Sequence, residues 1–418
     1  MKVSVAALAL FALAGAAYAG EPKLEMFKDG DTIVWLGDSI TCGGRYHEFV
    51  RDYYATRFPE RKISFYNSGV NGANAGSALK RLGEDVTPFR PDWVLIDFGV
   101  NDVGRDAYTR DRTPAQVKKG EGCRKNFNAN MVKLADKIVA DTPKAKIIFA
   151  TPTPYDESAV VTNPPKNAKH WIGCNAAVRV LADDVLKLAK DRGAPSVDWN
   201  KPLNDYTEKR RAAGDKTFMF TAPDRTHPGS AAHAIMAWTF LRAQGVPATV
   251  SDVTVDAKSG KVAKSENATV TDLKKTADGI SCMVLAKALP FPADAEAKPF
   301  LAEFDVEETL NREVFAVTGL KAGNYALLID GAEVATGDAA AFAKGIRLGF
   351  NERTPQYAQA QKFFAANKAA ADFERKIRAY CWRKENVTLE TRQKCQEQYD
   401  KARELLKIVP HTYEVKRR

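Results

Sequence analysis

Beyond its first twenty residues the sequence has no apolar run long enough to cross a bilayer, so no transmembrane segment is expected. The start of the chain differs: Lys2 precedes a small and apolar stretch, and Ala17-Tyr18-Ala19 fits a signal-peptide cleavage site. We therefore expect residues 1–19 to be a signal peptide that is cleaved after Ala19. The residue directly after that site is Gly20 and not a cysteine, which argues against a lipoprotein anchor. The mature protein is expected to be exported, either to a periplasm or out of the cell.

Histidine is scarce, with five in 418 residues, and there is neither a C-x-x-C motif nor a histidine cluster. This scarcity argues against a metal centre. The sequence also lacks a P-loop, a dinucleotide-binding fingerprint and a deaminase zinc signature, so no cofactor is expected.

Its six cysteines are compatible with disulfides in an oxidising compartment. We favour a Cys381–Cys395 pair, because both cysteines lie in adjoining predicted helical segments, and leave the other four unassigned.

Acidic residues are in the minority: 52 Asp and Glu against 62 Lys and Arg give a formal net charge of +10. The basic residues are scattered, apart from the short tail Lys416-Arg417-Arg418. A dispersed charge favours solubility, and no nucleic-acid partner is expected. The alternative to a role in solubility is affinity for acidic glycans, because an exported protein meets acidic polysaccharide more often than DNA.

Strand and helix patterns alternate through the first 240 residues. Apolar and β-branched runs predict buried strands, and apolar residues at helical spacing predict the helices between them. The main predicted strands are 33–36, 62–67, 93–98 and 146–151, and the main predicted helices are 46–58, 127–140 and a long segment ending near 190. This alternation predicts a parallel, doubly wound α/β sheet of flavodoxin type. Residues 105–122 are polar and predict a long loop at the rim of a site.

The first predicted strand stops at Gly37 and places Ser39 at the carboxyl edge of the sheet, where α/β folds bind ligands. Ser39 is therefore a candidate nucleophile, although it could equally cap the next helix. Of the five histidines, His227 alone lies on a loop before a helix, three residues after Asp224. That spacing lets the carboxylate hold Nδ1 and leaves Nε2 for a serine. In isolation, the pair could also be a helix cap beside a histidine.

Acyl transfer also needs donors for an oxyanion. The candidates are the backbone N–H groups of Ser39 and Gly72 and the side-chain amide of Asn101. Gly72 permits a close backbone approach, and Asn101 follows a predicted strand. Glycine and asparagine are also common plain turn formers, so neither residue is decisive alone.

Taken together, the four turns resemble the block pattern of the SGNH, or GDSL, hydrolases over residues 32–241. The matching blocks are Gly37-Asp38-Ser39-Ile40, Asn67-Ser68-Gly69-Val70-Asn71-Gly72, Gly99-Val100-Asn101-Asp102 and Asp224-Arg225-Thr226-His227-Pro228. The resemblance implies a three-layer α/β/α esterase fold with Ser39 as nucleophile and His227 and Asp224 completing the triad. It also implies an oxyanion hole formed by Ser39, Gly72 and Asn101. The G-x-S-x-G elbow of the larger lipase fold is absent, since Thr41 stands at its second glycine.

The rest of the chain carries no motif for chemistry. We expect residues 20–246 to form the catalytic domain, 247–336 a small antiparallel β unit and 337–418 a helical region. Asp330-Gly331 is a strong two-residue hairpin signal within the β unit. A packing or docking appendage is the expected role of this half, because function has to be argued from a site.

The expected function is an exported serine esterase that works through an acyl-enzyme, with an acetylated carbohydrate or polysaccharide as the leading substrate. The alternatives are an exported lipase, lysophospholipase or thioesterase, a transacylase, and a non-catalytic glycan-binding module on the same fold. The expected substrate-binding side chains are Asp38, Arg105, Tyr155 and Arg225, with Trp171 and Trp199 also on the rim. The aromatic members of this group could equally belong to the core.

Overall fold

The computed structural model describes residues 23–161, 170–381 and 388–418. The predicted signal peptide, 1–19, lies outside the described residues. The side chain of Cys381 does so as well, and its pairing with Cys395 therefore stays a prediction.

A five-stranded parallel sheet forms the centre of the N-terminal half, with the strand order β2-β1-β3-β4-β5. The strands are β1 (Thr32–Gly37), β2 (Ser64–Gly69), β3 (Trp93–Asp97), β4 (Lys146–Ala150) and β5 (Ser196–Val197). At the carboxyl end of β1, Gly37 pairs with Gly69 on one side and with Asp97 on the other. The turns after β1, β2 and β3 therefore leave the sheet side by side, at the point where the strand order reverses.

Helices cover both faces of this sheet. They are α1 (Ser39–Gly43), α2 (Tyr46–Arg57), α3 (Ala75–Leu79), α4 (Leu82–Asp85), α5 (Pro114–Asp141), α6 (Cys174–Asp191), α7 (Asn200–Ala212) and α8 (Ser230–Gln244). Successive β1 residues point to opposite faces: Trp35 packs in one apolar layer with α2 and α8, and Leu36 packs in the other with α5 and α6. This arrangement confirms the predicted three-layer α/β/α fold.

The predicted long loop at 105–122 is wrong over its second half. Its first residues form a short 3₁₀ turn (Arg105–Ala107), and α5 already begins at Pro114. Thr113 caps that helix: its hydroxyl accepts a hydrogen bond from Gln116 N, and Gln116 Oε1 accepts one from Thr113 N. The Thr-Pro-Ala-Gln sequence carries this signal, but the polar surface of the first helical turns obscures it. Helix α7 was not predicted either.

Two further sheets build the C-terminal half, with the orders β13-β10-β6-β7 and β12-β11-β14-β9-β8. Their strands are β6 (Thr249–Asp256), β7 (Lys261–Glu266), β8 (Ala268–Thr276), β9 (Gly279–Ala286), β10 (Arg312–Thr318), β11 (Asn324–Ile329), β12 (Ala332–Asp338), β13 (Ile346–Arg347) and β14 (His411–Arg417). The hairpin at Asp330-Gly331 is confirmed, and both residues have the positive φ that such turns require.

Strand β14 is an addition to the predicted helical region at 337–418. It lies between β9 and β11 and pairs antiparallel with both. Its buried residues, Tyr413 and Val415, alternate with more exposed ones, which is the pattern of a strand with one covered face. One neighbouring pair, β6 with β10, is parallel, so this part of the chain is not wholly antiparallel.

The remaining helices are α9 (Lys298–Glu303), α10 (Val306–Leu310), α11 (Ala339–Lys344), α12 (Pro355–Cys381) and α13 (Leu389–Arg403). The helices α12 and α13 lie against the N-terminal half near the end of β2. Arg392 Nη2 donates to Asn67 O at 2.7 Å, and Glu374 Oε1 accepts from Asn67 N at 3.2 Å. Within the described ranges, no helix has the length and apolar character needed to span a membrane.

Candidate active site

Ser39 is the first residue of α1, directly after the tight turn that ends β1. Asp38 caps this short helix, because its Oδ1 accepts a hydrogen bond from Ile40 N at 2.8 Å. This turn requires glycine at the ends of both β1 and β2. A Cβ at Gly37 would lie 2.1 Å from Thr41 Oγ1, and one at Gly69 would lie 2.1 Å from Cys42 N. The sequence around Ser39 therefore allows the helix to start in close contact with the strand ends.

The structure brings Ser39, His227 and Asp224 into one hydrogen-bonded row. Ser39 Oγ lies 2.9 Å from His227 Nε2, and His227 Nδ1 lies 2.5 Å from Asp224 Oδ2. The second carboxylate oxygen, Asp224 Oδ1, accepts from the backbone N–H groups of Thr226 and His227 at 2.9 and 3.0 Å. With the proton on Nδ1 held by the carboxylate, Nε2 is the nitrogen that can accept the serine proton.

A compact loop before α8 presents His227 to Ser39. Ala222 N donates to His227 O at 2.7 Å, and Gly229 N donates to Phe220 O at 2.8 Å. Inside this loop, Arg225 adopts a positive φ of 64° and points its side chain into the protein. The loop is therefore closed by its own backbone, which fixes the position of the imidazole.

The predicted oxyanion donors lie on the two neighbouring turns. Asn101 Nδ2 donates to Ala73 O at 2.9 Å and lies 3.4 Å from Asp38 Oδ2, beside Ser39. Gly72, which precedes Ala73, has a φ of 71° that favours glycine. The turns after β1, β2 and β3 thus meet around Ser39.

The charges of the histidine and its carboxylate partner support each other. Burial raises the pKa of Asp224, but hydrogen bonds from the His227 side chain and from the backbone amides of His227 and Thr226 outweigh it and lower that pKa to about 2. The hydrogen bond to Asp224 raises the pKa of His227, and partial burial opposes this rise. Asp224 is therefore ionised when His227 is neutral, as a base and its orienting group require.

Two buried carboxyl groups, Asp38 and Asp97, and the partly buried carboxyl group of Asp102 lie beneath this site. Burial raises the pKa of Asp38 to about 6 and that of Asp102 to about 7, and it raises the pKa of Asp97 well above its ordinary value. Thr41 Oγ1 donates to Asp97 Oδ2 at 3.1 Å, and Ala75 N donates to Asp102 Oδ1 at 3.0 Å. These groups hold the turns together from inside the protein.

Several predicted substrate-binding residues lie in the core instead. Tyr155 is 1% exposed and its hydroxyl accepts from Trp171 N at 3.1 Å, whereas Trp199 is fully buried with its indole N–H on Met236 O. The placement of Trp199 on the rim is wrong. Arg225 is also buried, and its Nη1 donates to Ala159 O. Large aromatic side chains and an arginine stem gain more from burial here than from a position on the rim.

Asp38 and Arg105 lie beside Ser39 and Asn101 respectively, but each is engaged with the protein. Asp38 is 1% exposed and serves as the cap of α1. Arg105 is half-buried and donates to Asn101 Oδ1 at 3.1 Å and to Thr226 Oγ1 at 3.0 Å.

Among the residues that the structure describes, no group of three or more His, Cys, Asp or Glu side chains is arranged to hold a metal ion.

The C-terminal half also contacts two segments beside the candidate site, and the sequence did not predict this contact. Asp294 Oδ2 accepts from Arg45 Nη2 at 2.9 Å and from Ser230 Oγ. Arg45 follows the helix that begins at Ser39, and Ser230 follows the loop that carries His227. No local signal could have revealed this contact, because Asp294 is 249 residues from Arg45 and 64 from Ser230.

Comparison with known proteins supports an ester-hydrolysing enzyme. The model of the GDSL-like Lipase/Acylhydrolase family matches residues 35–235. That part of the chain belongs to this family.

Two relatives extend the comparison. An acetylxylan esterase from Geobacillus stearothermophilus is 27% identical over 231 residues, which are 52% of this chain and 94% of that protein. A solved structure described as a gut microbial diltiazem-metabolizing enzyme is 29% identical, with a TM-score of 0.84. The match covers 96% of this chain and 100% of that one, so the C-terminal half is part of the shared architecture.

Proposed function

We propose that this protein is an exported serine esterase with Ser39 as nucleophile, and that its substrate is an O-acetyl ester on a carbohydrate or polysaccharide. The observation that carries the proposal is the hydrogen-bonded row from Ser39 Oγ through His227 to Asp224. Nucleophile, base and orienting carboxylate are each within hydrogen-bond reach of the next.

The proposed reaction has two stages. His227 Nε2 takes the proton of Ser39 as Oγ forms a bond to the ester carbonyl carbon, and the carbonyl oxygen becomes an oxyanion. The backbone N–H groups of Ser39 and Gly72 and the amide Nδ2 of Asn101 donate to that oxyanion. The ester C–O bond then breaks, and His227 returns the proton to the departing alcohol. Water attacks the acyl-enzyme in the same way and releases the carboxylic acid and Ser39.

An acetyl ester on a large alcohol is the substrate that the open site favours. The side chains of His227 and Asp224 are 45% and 38% exposed, so a bulky hydrophilic alcohol can approach without entering a tunnel. The acetylxylan esterase among the relatives supports an acetylated glycan. Tyr155 and Trp199 give no support for a glycan substrate, because both side chains are buried.

Hydrolysis of p-nitrophenyl acetate, butyrate and octanoate by the mature protein tests this proposal beside the variants Ser39→Ala and Ser259→Ala. Ser259 lies on an exposed turn of the C-terminal half and is the matched control. We expect acetate to be preferred, Ser39→Ala to lose turnover and Ser259→Ala to keep it. Octanoate preference would favour a lipase, lysophospholipase or thioesterase. Absence of serine-dependent turnover on these esters and on acetylated xylo-oligosaccharides would favour a glycan-binding module.

Export through cleavage after Ala19 and a catalytic unit at residues 20–246 belong to the same proposal. The mass of the protein recovered from the periplasm or medium should correspond to a chain that begins at Gly20. A protein retained in the cytoplasm with residues 1–19 intact would contradict export.

An added sugar acceptor in the assay separates hydrolysis from acyl transfer, because only a transacylase would give the acetylated acceptor as its main product.

A further inference from the structure

Arg105 connects the loop of the oxyanion donor Asn101 to the loop of His227. Its Nη2 donates to Asn101 Oδ1 at 3.1 Å, and its Nη1 donates to Thr226 Oγ1 at 3.0 Å. Thr226 is the neighbour of His227, and its backbone N–H is held by Asp224. One planar guanidinium therefore spans two loops that meet only in the folded protein.

The contact to Asn101 decides which end of its amide faces the reacting carbonyl. A side-chain amide has one accepting and one donating end, and exchanging them reverses its chemistry. Here Arg105 requires an acceptor, whereas Ala73 O and Asp38 Oδ2 require a donor on the opposite side. In the reversed orientation, Oδ1 would face two other acceptors and the NH₂ group would face a cation.

We propose that Arg105 is a positioning residue, which fixes the His227 loop against Asn101 and holds the Asn101 amide so that one N–H donates to Ala73 O and the other, which makes only a long 3.4 Å contact to Asp38 Oδ2, is directed to the oxyanion. This inference rests on the proposed function, in which Asn101 donates to the oxyanion. It differs from the sequence-based expectation that Arg105 binds substrate, because a positioning residue changes the rate of the chemical step and a binding residue changes substrate affinity.

The charge of Arg105 adds an independent readout. Asp224 and Asp38 both raise the pKa of His227, whereas the positive charge of Arg105 lowers it. Removing that charge should therefore raise the pKa of His227 and move the acidic limb of the pH profile to higher pH. Arg105→Lys should keep the limb near its original position, because it keeps the charge but not the planar fork.

The test compares Arg105→Met and Arg105→Lys with Arg124→Met, a surface control in which an exposed ion pair with Asp184 is lost. We expect Arg105→Met to lower kcat for p-nitrophenyl acetate about tenfold to a hundredfold, with KM within about twofold. Its acidic limb should move up, and millimolar guanidinium should restore part of kcat. Arg124→Met should keep wild-type kinetics. Circular dichroism and thermal unfolding show whether each variant is folded.

Each other outcome overturns the inference. A rise in KM with unchanged kcat would make Arg105 a substrate ligand, and unchanged kinetics would leave it without a role in the reaction. If Arg105→Met does not fold, Arg105→Lys decides: wild-type kcat in that variant would contradict the need for the planar fork. Failure of the proposed function is distinguishable, because wild-type protein would then lack turnover that depends on Ser39.

Discussion

Two aspartate–histidine pairs of almost the same geometry occur in the two halves of the molecule. In the N-terminal half His227 Nδ1 lies 2.5 Å from Asp224 Oδ2, and in the C-terminal half His411 Nδ1 lies 2.6 Å from Asp330 Oδ2. Both carboxylates also accept a backbone N–H with Oδ1. The pair alone therefore does not distinguish a candidate active site from a structural contact.

The surroundings of the two pairs differ. His227 lies at the carboxyl edge of a parallel sheet, 45% exposed, with Ser39 Oγ 2.9 Å from its second nitrogen. His411 begins a strand in the middle of an antiparallel sheet, its side chain is 14% exposed, and its aspartate occupies a hairpin turn. The third group, Ser39, and the position at the sheet edge therefore define the candidate site, whereas the carboxylate only orients the ring.

Removing each imidazole should give the largest difference between the pairs. We expect His227→Ala to lose at least about a thousandfold in kcat, because Ser39 then lacks a base. His411→Ala is the matched control and should keep wild-type kcat on p-nitrophenyl acetate. Equal losses in the two variants would remove the distinction between the pairs.

Changing each carboxylate to an amide should give the next largest effect. Asp224→Asn should lower kcat about a thousandfold to ten-thousandfold, since an amide no longer holds the imidazole in the tautomer that accepts the serine proton. Asp330→Asn should leave kcat unchanged within about twofold. Initial rates under saturating acetate ester measure both, and a mild effect of Asp224→Asn would argue against the orienting role.

Asn101→Ala tests a group that only the N-terminal site possesses. Loss of one oxyanion donor should lower kcat about a hundredfold or more while KM changes little. Steady-state kinetics on p-nitrophenyl acetate separate the two constants. A variant that changes KM alone would show that Asn101 binds the substrate equally in ground and transition states.

The pH dependence of the reaction should report His227 and not His411. The base must be neutral, so activity is lost as pH falls through the pKa of His227, which the hydrogen bond to Asp224 raises. The acidic limb of kcat/KM should therefore lie above the ordinary histidine value of about 6.5. His411→Ala should leave this limb in place. Activity that stays constant down to about pH 4 would contradict the assignment of the base.

The smallest expected effect concerns the contribution of the C-terminal half to stability. Arg392 is 3% exposed and donates to Asn67 O and Ser68 Oγ at the end of β2. Arg392→Met leaves buried acceptors without that donor and should lower the free energy of unfolding by about 1–3 kcal/mol. Urea unfolding measures the change, with the exposed Lys394→Met as control. No change would indicate that the helical region does not brace the N-terminal half.

Sequence reasoning succeeded where the determinants are local. The alternation of strand and helix predicts the three layers, and the turns at Ser39, Asn101 and His227 predict which residues meet at the sheet edge. Each of these signals is contained within a few consecutive residues, and the sheet topology brings the separate turns together. The hairpin at Asp330-Gly331 is local in the same sense.

What the sequence did not reveal depends on distant contacts or on burial. Arg392 donates a hydrogen bond to Asn67, which is 325 residues away in the sequence, and Arg45 donates one to Asp294, which is 249 residues away. The burial of Trp199 follows from the packing of α8 against the sheet, which residue type alone does not specify. Strand β14 was missed because a short alternating segment gains its stability from the two strands that flank it.

Covalent labelling of the mature protein with a fluorophosphonate, followed by peptide mass spectrometry, tests directly whether Ser39 is the nucleophile. A nucleophilic serine activated by a histidine reacts with this probe, whereas an ordinary surface serine does not. We expect one label per chain, on the peptide that contains Ser39, and almost none in His227→Ala. Labelling of another residue, or equal labelling with and without His227, would contradict Ser39 as the nucleophile.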